Sequence, residues 1–326
     1  MANKVYFPEV DAVKGIAILL VILGHSFCVY PIDLDSQFSE LGAWVRSFQM
    51  PLFFIASGFV FSRAKSMHEL LHKKFHRLFI PWLAFSVLSV ALRIVFSSFT
   101  HSGRVDIWEA GSDIIQGKHY WFLYSLMCIL LLVNLIKNNK VLWGLSLCSV
   151  VLGMYCNIVD FGYFTLGRTC YYLPFFMLGT AFRQLYGGGI QACLKKPNIL
   201  MWLAVFTVAY VGFMMIRDTW SGIYRYMVPL AGSLLVWGIA CLCKSKVRFL
   251  CQMQKVLGHF GRYSLQYYLN HLLIMLPIYI LASKLPGIPM LQLVVIWILG
   301  IAVSWVMLMV QKRVRLFRMI CGLRSE

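Results

Sequence analysis

Acidic residues are scarce in this chain. Asp and Glu number 12 among 326 residues, against 30 Lys and Arg, and charged residues of both signs make up 13%. Soluble domains carry about 25% charged residues and are about 45–50% apolar. Here the apolar share is 60% and the mean hydropathy is +0.75. So few charges cannot clothe the surface of a water-soluble globule, which excludes that class. The chain also lacks an internal repeat and a low-complexity linker. Ten cysteines are present, but Cys241-x-Cys243 and Cys251 have neither paired spacing nor a His at finger distance, so no metal site is expected. A disulfide between Cys156 and Cys170 stays open, since both can face outward. The first apolar run has a weak positive start, two polar interruptions and no small-x-small cleavage site before Pro31. It reads as a retained helix, not a signal peptide.

What the chain does have is apolar windows long enough to cross a bilayer. Ten fall at roughly 12–30, 46–62, 78–97, 120–136, 141–156, 169–186, 199–216, 226–243, 264–283 and 288–310. The expected fold is an all-α polytopic membrane protein of about ten transmembrane helices, with N- and C-termini cytoplasmic. Charge agrees with that topology. With the N-terminus inside, 22 of the 30 Lys and Arg fall on inner segments and eight of the 12 acids fall outside. The net charge of +18 then reflects topology and anionic-lipid attraction, and requires no nucleic acid.

The first window carries Lys14 at its start and His25 deep inside it. Eleven steps of 100° make three turns plus about 20°, so both side chains share one helix face, roughly 16 Å apart along the axis. Asp11 lies one turn before Lys14. Ionisable residues within a span are costly and mark working sites. The alternative is a snorkelling Lys and a core His bonded to a neighbouring helix.

Other polar features fall at matching depths. Phe48-Gln49-Met50-Pro51 leads into Ala56-Ser57-Gly58, a small-residue patch that admits a neighbouring helix. Lys74 and Arg77 sit one turn apart at the cytoplasmic side. They suit a polyanion such as a pyrophosphate, or simply anchor the helix. At the outer side, His119-Tyr120-Trp121-Phe122-Leu123 is an interfacial aromatic belt or a sugar platform, and Arg168, with Tyr171 and Tyr172 beside it in sequence, either snorkels or holds an acceptor. Tyr267, Tyr268 and His271 lie within one turn of a later span, as a packing cluster or part of a site.

Taken together these stretches resemble the membrane-bound acyltransferase-3 family. Lys14 and His25 fit its pattern of a basic residue, ten residues, then His. Phe48 to Phe59, Lys74-Phe75-His76-Arg77 with Pro81, Trp121-Phe122-Leu123, Pro174-Phe175-Phe176-x-x-Gly179 and Tyr268-Leu269-Asn270-His271 follow in the family's order. The resemblance covers essentially the whole chain, and within the family it is to fucose 4-O-acetylase-type sugar O-acetyltransferases. Gln49 stands where such proteins often have His, and Lys74 where Arg is more frequent. The resemblance implies one transmembrane acyltransferase domain over 1–326 with no extra soluble domain, in a bacterial inner (cytoplasmic) membrane. It implies transfer of acetyl from acetyl-CoA, a co-substrate with no bound cofactor, to a carbohydrate hydroxyl.

In the scheme these residues suggest, Lys14, Lys74 and Arg77 hold the CoA phosphates at the inner face. His25 serves as general base, and Asp11 orients Lys14. Arg46, Gln49, Trp121, Arg168 and Tyr172 meet the acceptor, with Ser57, Tyr268 and His271 in support. The expected partners are acetyl-CoA, the acceptor, the bilayer and, as an open question, a second copy of the chain. A transporter or flippase of a small molecule or sugar precursor is the alternative, because half-depth polar groups suit it equally.

Overall fold

The computed structural model describes residues 6–27, 34–95, 106–156, 158–160, 163–185, 196–216, 221–243, 248–285 and 287–323. Of the charges used to orient the chain, Lys4, Asp33, Arg104, Lys195, Arg217, Asp218, Lys244, Lys246 and Arg324 lie outside the described residues. All regular secondary structure among the described residues is helical, with no strand. In order come α1 (Pro8–Phe27), α2 (Ser39–Phe59), a π-turn (Leu70–Phe75) leading into α3 (His76–Val95), α4 (Ile107–Ile115), α5 (Trp121–Leu135) and α6 (Asn139–Tyr155). Then follow α7 (Leu166–Leu185), α8 (Lys196–Ile216), α9 (Ser221–Leu242), α10 (Arg248–Arg262), α11 (Ser264–Ala282), α12 (Pro289–Arg313) and α13 (Arg315–Ile320).

Each of the ten apolar windows overlaps a helix; residues 28–30, 96–97 and 186 of those windows lie outside the described residues. Among the described residues, four helices are long and apolar enough to cross a membrane: Pro8–Phe27, Met67–Leu92, Gly222–Cys241 and Pro289–Arg313. Trp121–Leu135 is apolar but shorter. The segment before residue 263, read from sequence as a basic connection, contains α10 instead. Its apolar residues are confined to one side, so no long apolar window announces it. Cys156 and Cys170 are both free thiols.

The chain divides into two compact units. The first comprises Met1–Phe61, Phe175–Tyr268 and Tyr279–Ile298. Its centre is α1, which packs against α2, α9 and α10. Ala12, Val13, Ala17, Ile18, Ile22 and Phe27 of α1 are fully buried. Helices this apolar gain little from hydrophobic burial when lipid surrounds them, so close backbone approach must do the packing. Two crossings show it. A methyl group on Gly261 would overlap the Asp11 carbonyl oxygen, and one on Gly15 would overlap that of Leu257. α10 therefore lies antiparallel to the start of α1. Where α2 meets α7, a methyl on Gly58 would strike the Phe176 carbonyl, and one on Gly179 that of Ile55. The small-residue patch of α2 thus does admit another helix, and the partner is the Phe176-x-x-Gly179 stretch. Below this crossing Arg183 lies 4.0 Å from the Phe7 ring centre and 5.5 Å from that of Phe59, an aromatic seat for a cation.

The second unit comprises Ser62–Pro174, Leu269–Ile278 and Leu299–Glu326. Arg63 donates to the carbonyls of Ile136 and Lys137 and to Asn139 Oδ1, so it closes the C-terminal end of α5. Buried Asn270 and Gln311 pair through their amides: Gln311 Nε2 donates to Asn270 Oδ1 at 2.6 Å, and Asn270 Nδ2 donates back at 3.3 Å. Each satisfies the other's polar atoms where water is excluded.

Gly261→Val is expected to destabilise the detergent-solubilised protein by more than about 2 kcal/mol, because backbone cannot yield as a side chain can. Gly144→Ala, where an added methyl meets nothing within 4 Å, is expected to be neutral or to stabilise by about 0.5–1 kcal/mol. Thermal unfolding of the two variants measures the contrast.

Candidate active site

α1 runs unbroken from Pro8 to Phe27. The eleven-residue spacing therefore holds, and Lys14 and His25 share a face. Both are half-buried. Asp11, a turn before Lys14, accepts a hydrogen bond from Tyr6 Oη at 2.9 Å, a contact that sequence spacing does not suggest.

His25 lies in the last turns of α1, where carbonyls lack intrahelical partners. Its own carbonyl accepts a 2.5 Å hydrogen bond from Tyr279 Oη of α11. The next residue, Ser26, donates to Ile22 O at 2.8 Å. Farther back, Trp297 Nε1 of α12 donates to Leu19 O at 3.0 Å. The helix end that carries the imidazole is thus tied down through its backbone.

α2 supplies the surroundings of His25. A methyl group at Gly24 would lie 2.8 Å from Gln49 Oε1 and 3.0 Å from Nε2, so the Gln49 amide packs against the residue preceding His25. Gln49 is 6% exposed, and its Oε1 has no hydrogen-bond partner among the described residues. A buried carbonyl left so costs about 1–3 kcal/mol, which a bound donor would recover. Arg46 lies one turn before Gln49 on α2. Its guanidinium carbon lies 6.0 Å from the Phe27 ring centre. His25, Gln49 and Arg46 form one polar cluster at the end of α1.

The remaining expected acceptor residues gather in the second unit. Trp121 stacks on Tyr172, with ring centres 5.3 Å apart and planes 23° apart. Arg168 places its guanidinium carbon 4.8 Å from the Trp121 ring centre. Tyr171 meets Tyr172 edge-on at 4.9 Å. The turn before Trp121 is pinned by two aromatic donors: Trp82 Nε1 to His119 O at 3.2 Å, and Tyr120 Oη to Leu269 O at 3.0 Å. Tyr120 itself adopts φ 49° to make the turn. The result is a cation and two stacked rings, all half-exposed, on a fixed turn.

Of the expected donor-binding residues, Lys14 belongs to the first unit and Arg77 to the second, where Arg77 is exposed. Lys74 lies on the π-turn, and its side chain is outside the described residues. The π-turn, whose hydrogen bonds run five residues back, changes the angular spacing assumed for Lys74 and Arg77. Ser57 is half-buried beside the Gly58 crossing, and Tyr268 and His271 are both buried in α11. Among the described residues no three His, Cys, Asp or Glu side chains gather as metal ligands do.

Sequence reasoning missed Tyr279 and Trp297. Each is a ring with a polar tip in an apolar run, a feature shared with ordinary interfacial aromatics, so only their partners distinguish them. Tyr279→Phe removes one hydroxyl from a buried contact. Its expected cost is about 1 kcal/mol of stability, read by thermal unfolding against the unchanged protein.

The acyltransferase-3 family profile, described as an acyltransferase domain, matches residues 7–309. Nodulation protein NolL of Sinorhizobium fredii is 28% identical over 221 residues, which cover 65% of this chain and 58% of NolL. Nodulation protein NolL of Mesorhizobium japonicum is 26% identical over 252 residues, covering 71% of this chain and 65% of the relative. The chain thus spans about three fifths of the length of these curated relatives. No solved structure matches it. The family match takes in Lys14, the cluster around His25 and the Trp121 stack alike, and this chain belongs to the acyltransferase-3 family.

Proposed function

We propose that the protein is an integral membrane O-acyltransferase that moves acetyl from cytoplasmic acetyl-CoA to a hydroxyl of a cell-surface or lipid-linked carbohydrate. Family membership supports the acyl transfer. Helices apolar enough to cross a membrane support the location, which we take to be the bacterial cytoplasmic membrane. There the ten apolar windows form ten crossings, with both termini inside.

The observation that carries this reading is the cluster of His25, Gln49 and Arg46 at the end of α1. His25 is the base. Its imidazole takes the proton from the acceptor hydroxyl as that oxygen attacks the thioester carbonyl carbon. The carbon–sulfur bond then breaks, and the departing thiolate receives the proton, leaving free CoA and the sugar ester. Gln49 Oε1, buried and open, accepts a hydrogen bond from a second hydroxyl of the acceptor and so sets the position of the first. Arg46 offers positive charge where negative charge develops on the carbonyl oxygen. At the other end of the same helix face Lys14 holds donor phosphate, with Asp11 orienting the lysine. The stacked Trp121 and Tyr172, with Arg168, suit the CH faces and hydroxyls of a sugar. Lys74 and Arg77, within the second unit, suit an anionic group of the donor, and Ser57, Tyr268 and His271 brace the helices on which they lie.

Membranes carrying the protein, given labelled acetyl-CoA and surface polysaccharide, test this. His25→Ala is expected to lower turnover by about 100-fold or more. Full activity in that variant would remove the imidazole from the chemistry. Lys14→Ala is expected to raise KM for acetyl-CoA about tenfold with kcat largely kept; a collapse of kcat at unchanged KM contradicts the phosphate role. Gln49→Leu exchanges an amide whose buried Oε1 is unpartnered for an apolar side chain. It should leave thermal stability equal or higher while raising KM for the carbohydrate, and a simple loss of stability would count against the acceptor contact.

A further inference from the structure

α10, like the shorter α4 and α13, lies outside the apolar windows and the family motifs. It carries Arg248, Lys255 and Arg262 at seven-residue intervals and contains no Asp or Glu. Seven residues come within about 20° of two full turns, so the three cations form one stripe, roughly 21 Å from first to last. All three are exposed. The opposite side is committed to α1, through Leu257 at Gly15 and Gly261 at Asp11.

That antiparallel contact decides what the stripe is for. A basic amphipathic helix often lies flat among lipid headgroups. α10 instead runs alongside α1, a helix apolar enough to cross a membrane. Three cations carried along that direction cannot face hydrocarbon without heavy cost, so they need water and an anion. The contact also brings the Arg262 end of the stripe to Asp11, one turn from Lys14. The Tyr6 phenol confirms the proximity. It is pushed above its ordinary range by partial burial and then by its hydrogen bond to Asp11, and the Arg262 guanidinium pulls it back. Arg262 Nε donates to Gly258 O at 3.3 Å, which holds the side chain against its own helix. Beside the stripe, Phe249, Gln252, Met253, Val256 and Leu257 line an open groove of about 250 Å³. That is smaller than a whole small-molecule site of about 300–1,000 Å³, so it suits an uncharged arm of a ligand whose charge lies elsewhere.

We propose that Arg262 and Lys255, the end of the stripe nearest Lys14, form a track that holds phosphate of the nucleotide part of the acyl donor. The register of α10 on α1 places Arg248 level with His25, outside that contact. This rests on the donor assignment made above. It adds two binding residues in the same unit as Lys14.

Binding of adenosine 3′,5′-bisphosphate to the purified full chain in neutral-lipid nanodiscs reads the track without requiring acyl transfer. The double variant Lys255→Gln/Arg262→Gln is expected to bind at least about tenfold more weakly, with a shallower salt dependence than the parent. Because both side chains are exposed, thermal stability should match the parent, and Arg248→Gln, at the far end of the stripe, is expected to bind like the parent. Equal affinity in the double variant, a loss in Arg248→Gln as large as in the double variant, or no affinity in the parent overturns the track. So does an unchanged affinity accompanied by loss of stabilisation by phosphatidylglycerol, which would make the stripe a lipid contact. Should the double variant lose bisphosphate binding while the parent transfers nothing from acetyl-CoA, the track stands and the donor assignment fails. Should the parent transfer acetyl while the double variant binds normally, the donor assignment stands and the track fails.

Discussion

Everything proposed for this protein depends on how α1 is held. An apolar helix among apolar helices has little hydrophobic reason to prefer one rotation or depth. α1 is instead fixed through its backbone. Gly15 and Gly261 let α10 approach until only hydrogen atoms separate the chains, and Tyr279 and Trp297 donate to the carbonyls of His25 and Leu19. Contacts of this kind are specific to one register. They keep Lys14 and His25 on one face at opposite ends of a rigid rod, which is what a donor phosphate and a reacting hydroxyl would require.

The same economy sets the character of the site. The polar groups near His25 are few, and one of them, Gln49, holds a buried acceptor without a partner. A group so placed is expensive in a folded protein and is retained where something else repays it. The Asn270–Gln311 pair makes the contrast. There both amides are buried and each satisfies the other, so that pair braces α11 against α12 and offers nothing to a ligand. Comparison of the two sites separates a polar group poised for binding from one used up in packing.

Much of the arrangement was legible beforehand. The ten apolar windows each land on a helix, because a long apolar run has no other way to satisfy its backbone in lipid. The spacing of Lys14 and His25 held, since helix periodicity needs no tertiary information. The stack of Trp121, Tyr172 and Arg168 brings together residues about fifty positions apart in sequence that were named separately. The π-turn under Lys74 was not legible, because counting residues assumes α geometry throughout. Nor was α10, whose apolar residues are too few for a hydropathy window and whose cations looked like loop charges.

The sequence by itself therefore determined the helices under the ten apolar windows, the one-sided placement of Lys14 and His25, and the family. Composition and period act locally, and a helix obeys them wherever it sits. Only the tertiary structure decided which backbone groups meet: that Gln49 lies against Gly24, that Tyr279 reaches the His25 carbonyl, and that a basic helix lies along the start of α1. These depend on glycines whose lack of a side chain permits contact without naming the partner, and on polar tips whose partners lie up to 278 residues away.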